Sequence, residues 1–141
     1  MIGTTVSHYR ILEKLGEGGM GVVFKARDLR LDRFVCIKVL RAEQLKDASR
    51  KQRFVQEAKS ASSLNHPNII TIHEIDQADG TDFIVMEFVA GKTLHQLIPS
   101  GGLPVGEVLK YAIPIASALA AANAAGIIHR DIKPGNIMVG R

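Results

Sequence analysis

The period of apolar and polar positions changes several times along the chain, and each change marks an element. Tyr9 to Leu15 mixes apolar and charged residues as a first strand does. After the glycine run Gly16-Glu-Gly-Gly-Met-Gly21, the β-branched and aromatic residues Val22, Val23 and Phe24 predict a second strand rather than a helix. A polar connection, Asp28 to Arg33, leads into Phe34-Val-Cys-Ile-Lys-Val-Leu40, a third strand whose interior holds one charge, Lys38. From Asp47 the period becomes helical. Phe54, Ala58 and Ala61 recur on one face with Leu64 a turn further on, while Arg50, Lys51, Arg53 and Lys59 point elsewhere. Pro67, within Asn65-His-Pro-Asn68, cannot continue that helix and ends it. Ile69 to Ile75 and Thr81 to Val89 predict two further strands joined by the turn Asp76 to Gly80. Five strands with one helix inserted after the third make a compact antiparallel lobe of the α+β class.

Beyond that lobe the pattern is helical. Ala90-Gly91 breaks the last strand as a natural hinge. A short helix is expected over Thr93 to Ile98, then a Pro/Gly-rich link, Pro99 to Pro104, then a long helix from Val105 to about Ala125. Gly126 suits the left-handed position after a helix end. Pro114 falls inside the long helix, where proline costs about 3 kcal/mol, so a kink or a late start is expected there.

Composition narrows the class without changing the outline. Hydrophobic residues at 46% and charged residues at 23% describe a globular chain long enough to bury a core. Eighteen Lys+Arg against fourteen Asp+Glu give a net charge of +4, with acids and bases interleaved, so no nucleic-acid partner is expected. The densest basic stretch, Arg50-Lys51-Gln52-Arg53, reads as the solvated face of a helix. The single cysteine, Cys36, excludes an intrachain disulfide, fits a reducing compartment, and sits in an apolar strand as a small packing residue. The N-terminus has no long apolar core of the secretory kind. The run from Tyr111 to Ile128 is mostly alanine and is interrupted by Pro114, Ser117 and Asn123, unlike the roughly 20 strongly apolar residues of a spanning helix.

Two stretches carry candidate chemistry. Gly16-x-Gly18-x-x-Gly21 has the spacing of dinucleotide-binding folds, but there the last glycine opens a helix, and here a strand follows. The glycines therefore sit in a strand–turn–strand flap whose backbone amides can cover phosphates. His129-Arg-Asp-Ile-Lys-Pro-Gly-Asn136 reads by itself as a polar turn, which Asp, Pro, Gly and Asn usually make. The same residues also place a carboxylate, Asp131, five positions before an amide able to bind metal, Asn136.

Taken together, Gly-Glu-Gly-Gly-Met-Gly-Val-Val, Val-Cys-Ile-Lys and His-Arg-Asp-Ile-Lys-Pro-Gly-Asn resemble, in order and spacing, the protein kinase signature, closest to bacterial serine/threonine kinases of the eukaryotic-like group. The resemblance implies a partial kinase domain over residues 9–141, with the small lobe at 9–89 and the start of the large lobe at 90–141. It implies ATP as co-substrate, Mg2+, and protein substrates bearing Ser or Thr, with kinase–kinase association a further possible partnership. Carried over by position, Gly16, Glu17, Gly18, Gly19, Met20 and Gly21 would cover the nucleotide, Val23 and Cys36 would roof the adenine, and Lys38 would pair with the phosphates. Cys36 stands where alanine is usual and narrows the pocket slightly. A lysine in an apolar strand can snorkel, but a lone cation there needs a partner, and Glu57 on the inserted helix is the best placed. Met86 would guard the back of the pocket, with Glu87, Phe88 and Val89 as the hinge that meets adenine. Asp131 would accept or orient the substrate hydroxyl proton, Lys133 would approach the transferred phosphoryl, and Asn136 would hold one magnesium. Arg130 would answer a phosphate on the activation loop, and His129 would be structural. His8, His66, His73 and His95 show no metal-ligand spacing.

The resemblance also implies a departure. The family's Asp-Phe-Gly, whose aspartate is the main magnesium ligand, follows the catalytic loop, and the sequence reaches only Arg141. The expectation is therefore a cytoplasmic kinase segment whose own transfer activity is impaired. The alternative is a non-catalytic module that holds ATP or pairs with another kinase. Ile113, Ile115, Leu119, Ile127 and Ile128 are expected to form an apolar patch that later helices of a whole kinase would pack.

Overall fold

The computed structural model describes residues 1–17, 21–40, 48–127 and 132–140. These residues fall in two compact units, Met1–Ser63 with Ile70–Phe88, and Leu64–Ile69 with Val89–Arg141.

Among the described residues, the first unit is an antiparallel sheet with one helix. Its strands are β1 (Thr5–Val6), β2 (Tyr9–Glu17), β3 (Gly21–Asp28), β4 (Arg33–Leu40), β5 (Ile72–Ala78) and β6 (Thr81–Glu87), and the helix α1 spans Ala48–Ser62. The strand order is β1-β2-β3-β4-β6-β5. The sheet thus has six strands where five were expected. The addition is the two-residue β1, paired Thr5↔Arg10 and Val6↔Tyr9, too short to show an alternating pattern of its own.

Side chains alternate across a sheet, so the register sorts residues by face. Phe24, Ile37 and Val85 are cross-strand partners, as are Ala26 and Val35. With Tyr9, Ile11 and Phe83 they form the main buried core. The opposite face is covered at one end by α1, where Phe54 and Ala58, one turn apart, pack on Leu40 and Ile84. Of the expected helical stripe, Ala61 is half-buried and Leu64 lies past the helix end.

The connections follow from local chemistry. Asp28 Oδ1 accepts hydrogen bonds from the amides of Arg30 (2.9 Å) and Leu31 (3.0 Å), closing the polar link between β3 and β4. The β5–β6 hairpin turns on Asp79 and Gly80, both at positive φ (52° and 75°), with Ala78 opposite Thr81. That is a two-residue turn of the type that Asp-Gly favours.

In the second unit, β7 (Gly91–Thr93) pairs antiparallel with β8 (Met138–Gly140), bringing residues far apart in sequence into register, Thr93↔Met138 among them. Between them lie α2 (Leu94–Leu97), α3 (Val105–Ala124) and a single 3₁₀ turn, Pro134–Asn136. Thr93 caps α2 reciprocally with Gln96, each backbone N–H donating to the other's side-chain oxygen (3.2 and 2.9 Å). The helix α3 begins at Val105 and passes through Pro114, so the late start expected at that proline does not occur. Gly126 follows its end with φ 78°. Exposure along α3 lies earlier than expected. Val105, Val108, Leu109 and Ile113 face solvent, whereas Ile115, Leu119 and Ile127 are half-buried, and Ile128 falls outside the described residues.

Candidate functional site

The glycine run lies where β2 turns back as β3. Gly16 pairs with Val23 and Glu17 with Val22, and the residue after Gly21 continues a strand, so the helix of a dinucleotide fold is absent at this point. Gly18, Gly19 and Met20 lie outside the described residues. Gly21 is buried against β4, and a Cβ there would lie 2.2 Å from the carbonyl oxygen of Val39, a clash with backbone. Glycine is thus required at this position by close approach. Glu17 is exposed and receives the Lys14 ammonium at 2.8 Å.

Four of the expected nucleotide contacts share one face of the sheet, the face opposite the main core. Val23 stands across from Lys38, Cys36 across from Met86, and Lys38 across from Ile84. All of Val23, Cys36, Lys38 and Met86 are half-buried. Burial pushes the Cys36 thiol above its usual range, against a smaller downward pull from the Lys25 charge, so Cys36 is a neutral packing group there.

Lys38 forms no ion pair among the described residues, and Glu57 is exposed on α1. The helix buries Phe54 and Ala58, and at 3.6 residues per turn Glu57 projects about 100° from Ala58. The pairing of Lys38 with Glu57 is therefore not formed in this arrangement.

The segment after Met86 is anchored on its β5 side. Glu87 N–H donates to the Thr71 carbonyl (2.8 Å), and Thr71 N–H donates to Glu87 Oε1 (3.1 Å). Phe88 and Val89 follow, both half-buried. A cluster that the sequence did not single out lies beside them. The Lys25 ammonium stands 4.3 Å from the Phe34 ring centroid and 4.7 Å from that of Phe88. Its only signal in the sequence was the shared parity of Val23 and Lys25 on one strand and of Phe34 and Cys36 on the next.

In the second unit, Lys133 and Asn136 bracket the 3₁₀ turn, with Asn136 N–H donating to the Lys133 carbonyl (2.9 Å). Pro134 starts that turn with its φ already fixed. The turn is held in place by Leu94 N–H, which donates to the Ile137 carbonyl at 2.8 Å, and by the β7–β8 ladder beyond it. Both side chains, Lys133 and Asn136, are exposed. The assignment of Asp131, with His129 and Arg130, lies outside the described residues. Asn136 offers one neutral hard oxygen, which suits a single position on Mg2+, an ion that keeps waters and takes other ligands from phosphates. No group of three His, Cys, Asp or Glu side chains among the described residues gathers to hold a metal. His66 has a structural part: its Nδ1 accepts from Asn68 N–H (3.0 Å), which leaves Nε2 as the protonated nitrogen facing Ser117 Oγ (3.0 Å).

Comparison with known proteins completes the picture. A family model described as "Protein kinase domain" matches residues 9–141. The chain is 50% identical to the serine/threonine-protein kinase pkn3 of Myxococcus xanthus over 98% of its length, covering 26% of that protein. It is 45% identical to the serine/threonine-protein kinase PrkC of Bacillus subtilis over 99% of its length, covering 22% of that protein. The crystal structure of the Mycobacterium tuberculosis PknI kinase domain superposes with a TM-score of 0.82 at 32% identity, over 99% of this chain and 58% of that one. The chain thus spans about a quarter of the length of these curated relatives.

Proposed function

Since the chain belongs to the protein kinase family, we propose that it serves transfer of the γ-phosphoryl of ATP to serine or threonine hydroxyls of proteins. The observation that carries this is the gathering of Val23, Cys36, Lys38 and Met86 on one sheet face, on the strand that Gly21 opens and on β4 and β6. Roofed by Val23 and Cys36, bounded by Met86 and met by the backbone of Glu87 and Val89, adenine would lie on an apolar surface with polar contacts along one edge. Lys38 would then reach the phosphates, and Gly16 to Gly21 would cover them with backbone amides. Glu57 would join Lys38 only after α1 turns from its present orientation.

The remaining chemistry would come from the stretch Asp131 to Asn136. Asp131 would accept or orient the proton of the attacking hydroxyl, and Lys133 would neutralise charge on the transferring group. Asn136 would be one residue holding Mg2+, which would supply positive charge to offset that of the phosphates. Residues 9–89 would make the small lobe and 90–141 the beginning of the large one. The helix α3 is long and apolar enough to cross a membrane, with a mean hydropathy of 1.4. The family match runs through it, which supports a place in the helical lobe and a cytoplasmic setting instead.

A second function is favoured by one observation, the separation of exposed Glu57 from Lys38: the chain would hold nucleotide, or pair with another kinase, without transfer. Nucleotide titration followed by a radiolabelled phosphate-transfer assay separates the two. Binding that is lost in Lys38→Met, with transfer abolished in Asp131→Asn, supports the kinase assignment. Binding without transfer supports the second, and transfer at full rate in Asp131→Asn would remove Asp131 from the chemistry.

A further inference from the structure

Lys25 is not among the residues drawn from the family, yet the fold gives it a particular setting. It stands directly across from Cys36, two positions along β3 from Val23 and on the same sheet face. Its ammonium is met by two rings, Phe34 at 4.3 Å and Phe88 at 4.7 Å. The rings themselves meet edge to face, with centroids 6.1 Å apart at 63°. Phe34 also faces the Arg27 guanidinium at 5.0 Å, whose charge is answered by Asp32. Lys25 has no such carboxylate among the described residues, so its charge is met by the π-faces of the rings.

Phe88 is the residue that links these strands to the segment after Met86. On the β5 side that segment is already tied by the two hydrogen bonds between Glu87 and Thr71. On the other side Glu87 is the last residue in register with β4, opposite Val35, and beyond it the tie is the contact of Phe88 with Lys25 and Phe34. Beyond Glu87 the backbone leaves the β4–β6 ladder, so side chains must fix the course of Phe88 and Val89 before a ligand meets their N–H and C=O groups.

We propose that Lys25 is a positioning residue for nucleotide, its ammonium gripping Phe34 and Phe88 so that the backbone of Glu87 to Val89 is held ready for adenine. This rests on the assignment of Glu87 and Val89 as the adenine contacts. It adds a cation, on a strand other than that of Lys38, that never touches the ligand.

Lys25→Met keeps the aliphatic stem and removes the charge, while Lys25→Arg keeps a cation able to stack. In the nucleotide-free chain, Lys25→Met is expected to speed hydrogen exchange across residues 86–89. It should also weaken binding of a fluorescent ATP analogue by about fivefold, since a smaller share of molecules then has the segment in place. Lys25→Arg should restore both. Phe88→Leu should reproduce the loss, and the double variant Lys25→Met/Phe88→Leu should lose little more than either change alone. The pH profile of Cys36 alkylation is expected to move upward in Lys25→Met, since the ammonium opposite the thiol is gone, an effect that loosened packing would not give. A Lys25→Met chain that binds the analogue as tightly as the parent overturns the positioning role and leaves the nucleotide site standing. A parent chain that binds no analogue, while exchange and alkylation still respond to Lys25, overturns the site assignment and the positioning role with it. An alkylation profile unmoved by Lys25→Met overturns the charge contact itself.

Discussion

Asp82, buried at the start of β6, meets the Lys51 ammonium of α1 at 3.6 Å, and its Oδ2 has no hydrogen-bond partner among the described residues. The pair is lopsided, with the Asp82 side chain 9% exposed and that of Lys51 39% exposed. Without Lys51 a buried carboxylate would stand unanswered, whereas removing both charges leaves an apolar contact between helix and sheet. Lys51→Met is therefore expected to destabilise the fold by about 1–2 kcal/mol, a figure kept low because the lysine is partly solvated. Lys51→Met/Asp82→Leu should recover most of that. Urea unfolding midpoints read both, and a Lys51→Met chain as stable as its parent would show that the pair carries no weight.

Gly21 and Gly16 belong to the same motif but answer to different physics. A Cβ on Gly21 would meet the Val39 carbonyl at 2.2 Å, while one on Gly16 would meet nothing within 4 Å. Gly21→Ala must push β3 away from β4 and should cost about 2 kcal/mol or more. Gly16→Ala should leave the unfolding midpoint close to the parent's. Equal losses from the two substitutions would count against the close β3–β4 approach at Gly21.

The contrast shows why some of the molecule was legible in the sequence. Strands with apolar runs or alternation, β2 to β6, and a helix with the Phe54/Ala58 stripe announce themselves by period. The pieces that did not are held by partners remote in the chain. Thr5–Val6 is strand only because Tyr9 and Arg10 pair with it, and Gly91–Thr93 only because Met138–Gly140 returns to it. The glycine motif and Lys38 could be read because backbone approach and charge in an apolar strand are sequence-level signals. The Lys25 cluster could not, since Phe34 and Phe88 meet through β4 and β6 rather than through spacing. Glu57 was legible as a helix residue, but its angle about the axis is set by which side Phe54 and Ala58 bury.

Asp28 makes stability depend on acid. Burial (2% exposed) works against its charge, but the amides of Leu31 and Arg30, with the nearby charges of His8 and Arg33, outweigh it and hold the carboxyl below its usual range. The folded value is lower than the unfolded one, about 3.9. The stabilisation is thus fully present above about pH 4 and is lost as pH falls through the folded value. Asp28→Asn keeps an acceptor for the two amides and removes the titration. Its urea midpoint is expected to fall less than the parent's between about pH 4 and pH 2. Parallel curves for the two chains over that range would exclude Asp28 as a source of the acid loss.

The helix α3 presents Val105 (75% exposed), Val108, Leu109 and Ile113 (67% exposed) to water. At 3.6 residues per turn these four fall within one stripe, a contiguous apolar surface of the kind that drives association or dye binding. The 141-residue chain is therefore expected to bind 8-anilinonaphthalene sulfonate and to elute from a sizing column ahead of a 15.3 kDa monomer. Leu109→Glu with Ile113→Lys places opposite charges one turn apart, in the order that supports a helix, and breaks the stripe at its centre. That double variant should lose most of the dye signal and shift toward the monomer position, with helix content by circular dichroism unchanged. A parent chain that is monodisperse at about ten micromolar or more and silent to the dye would show that the stripe is not a sticky surface.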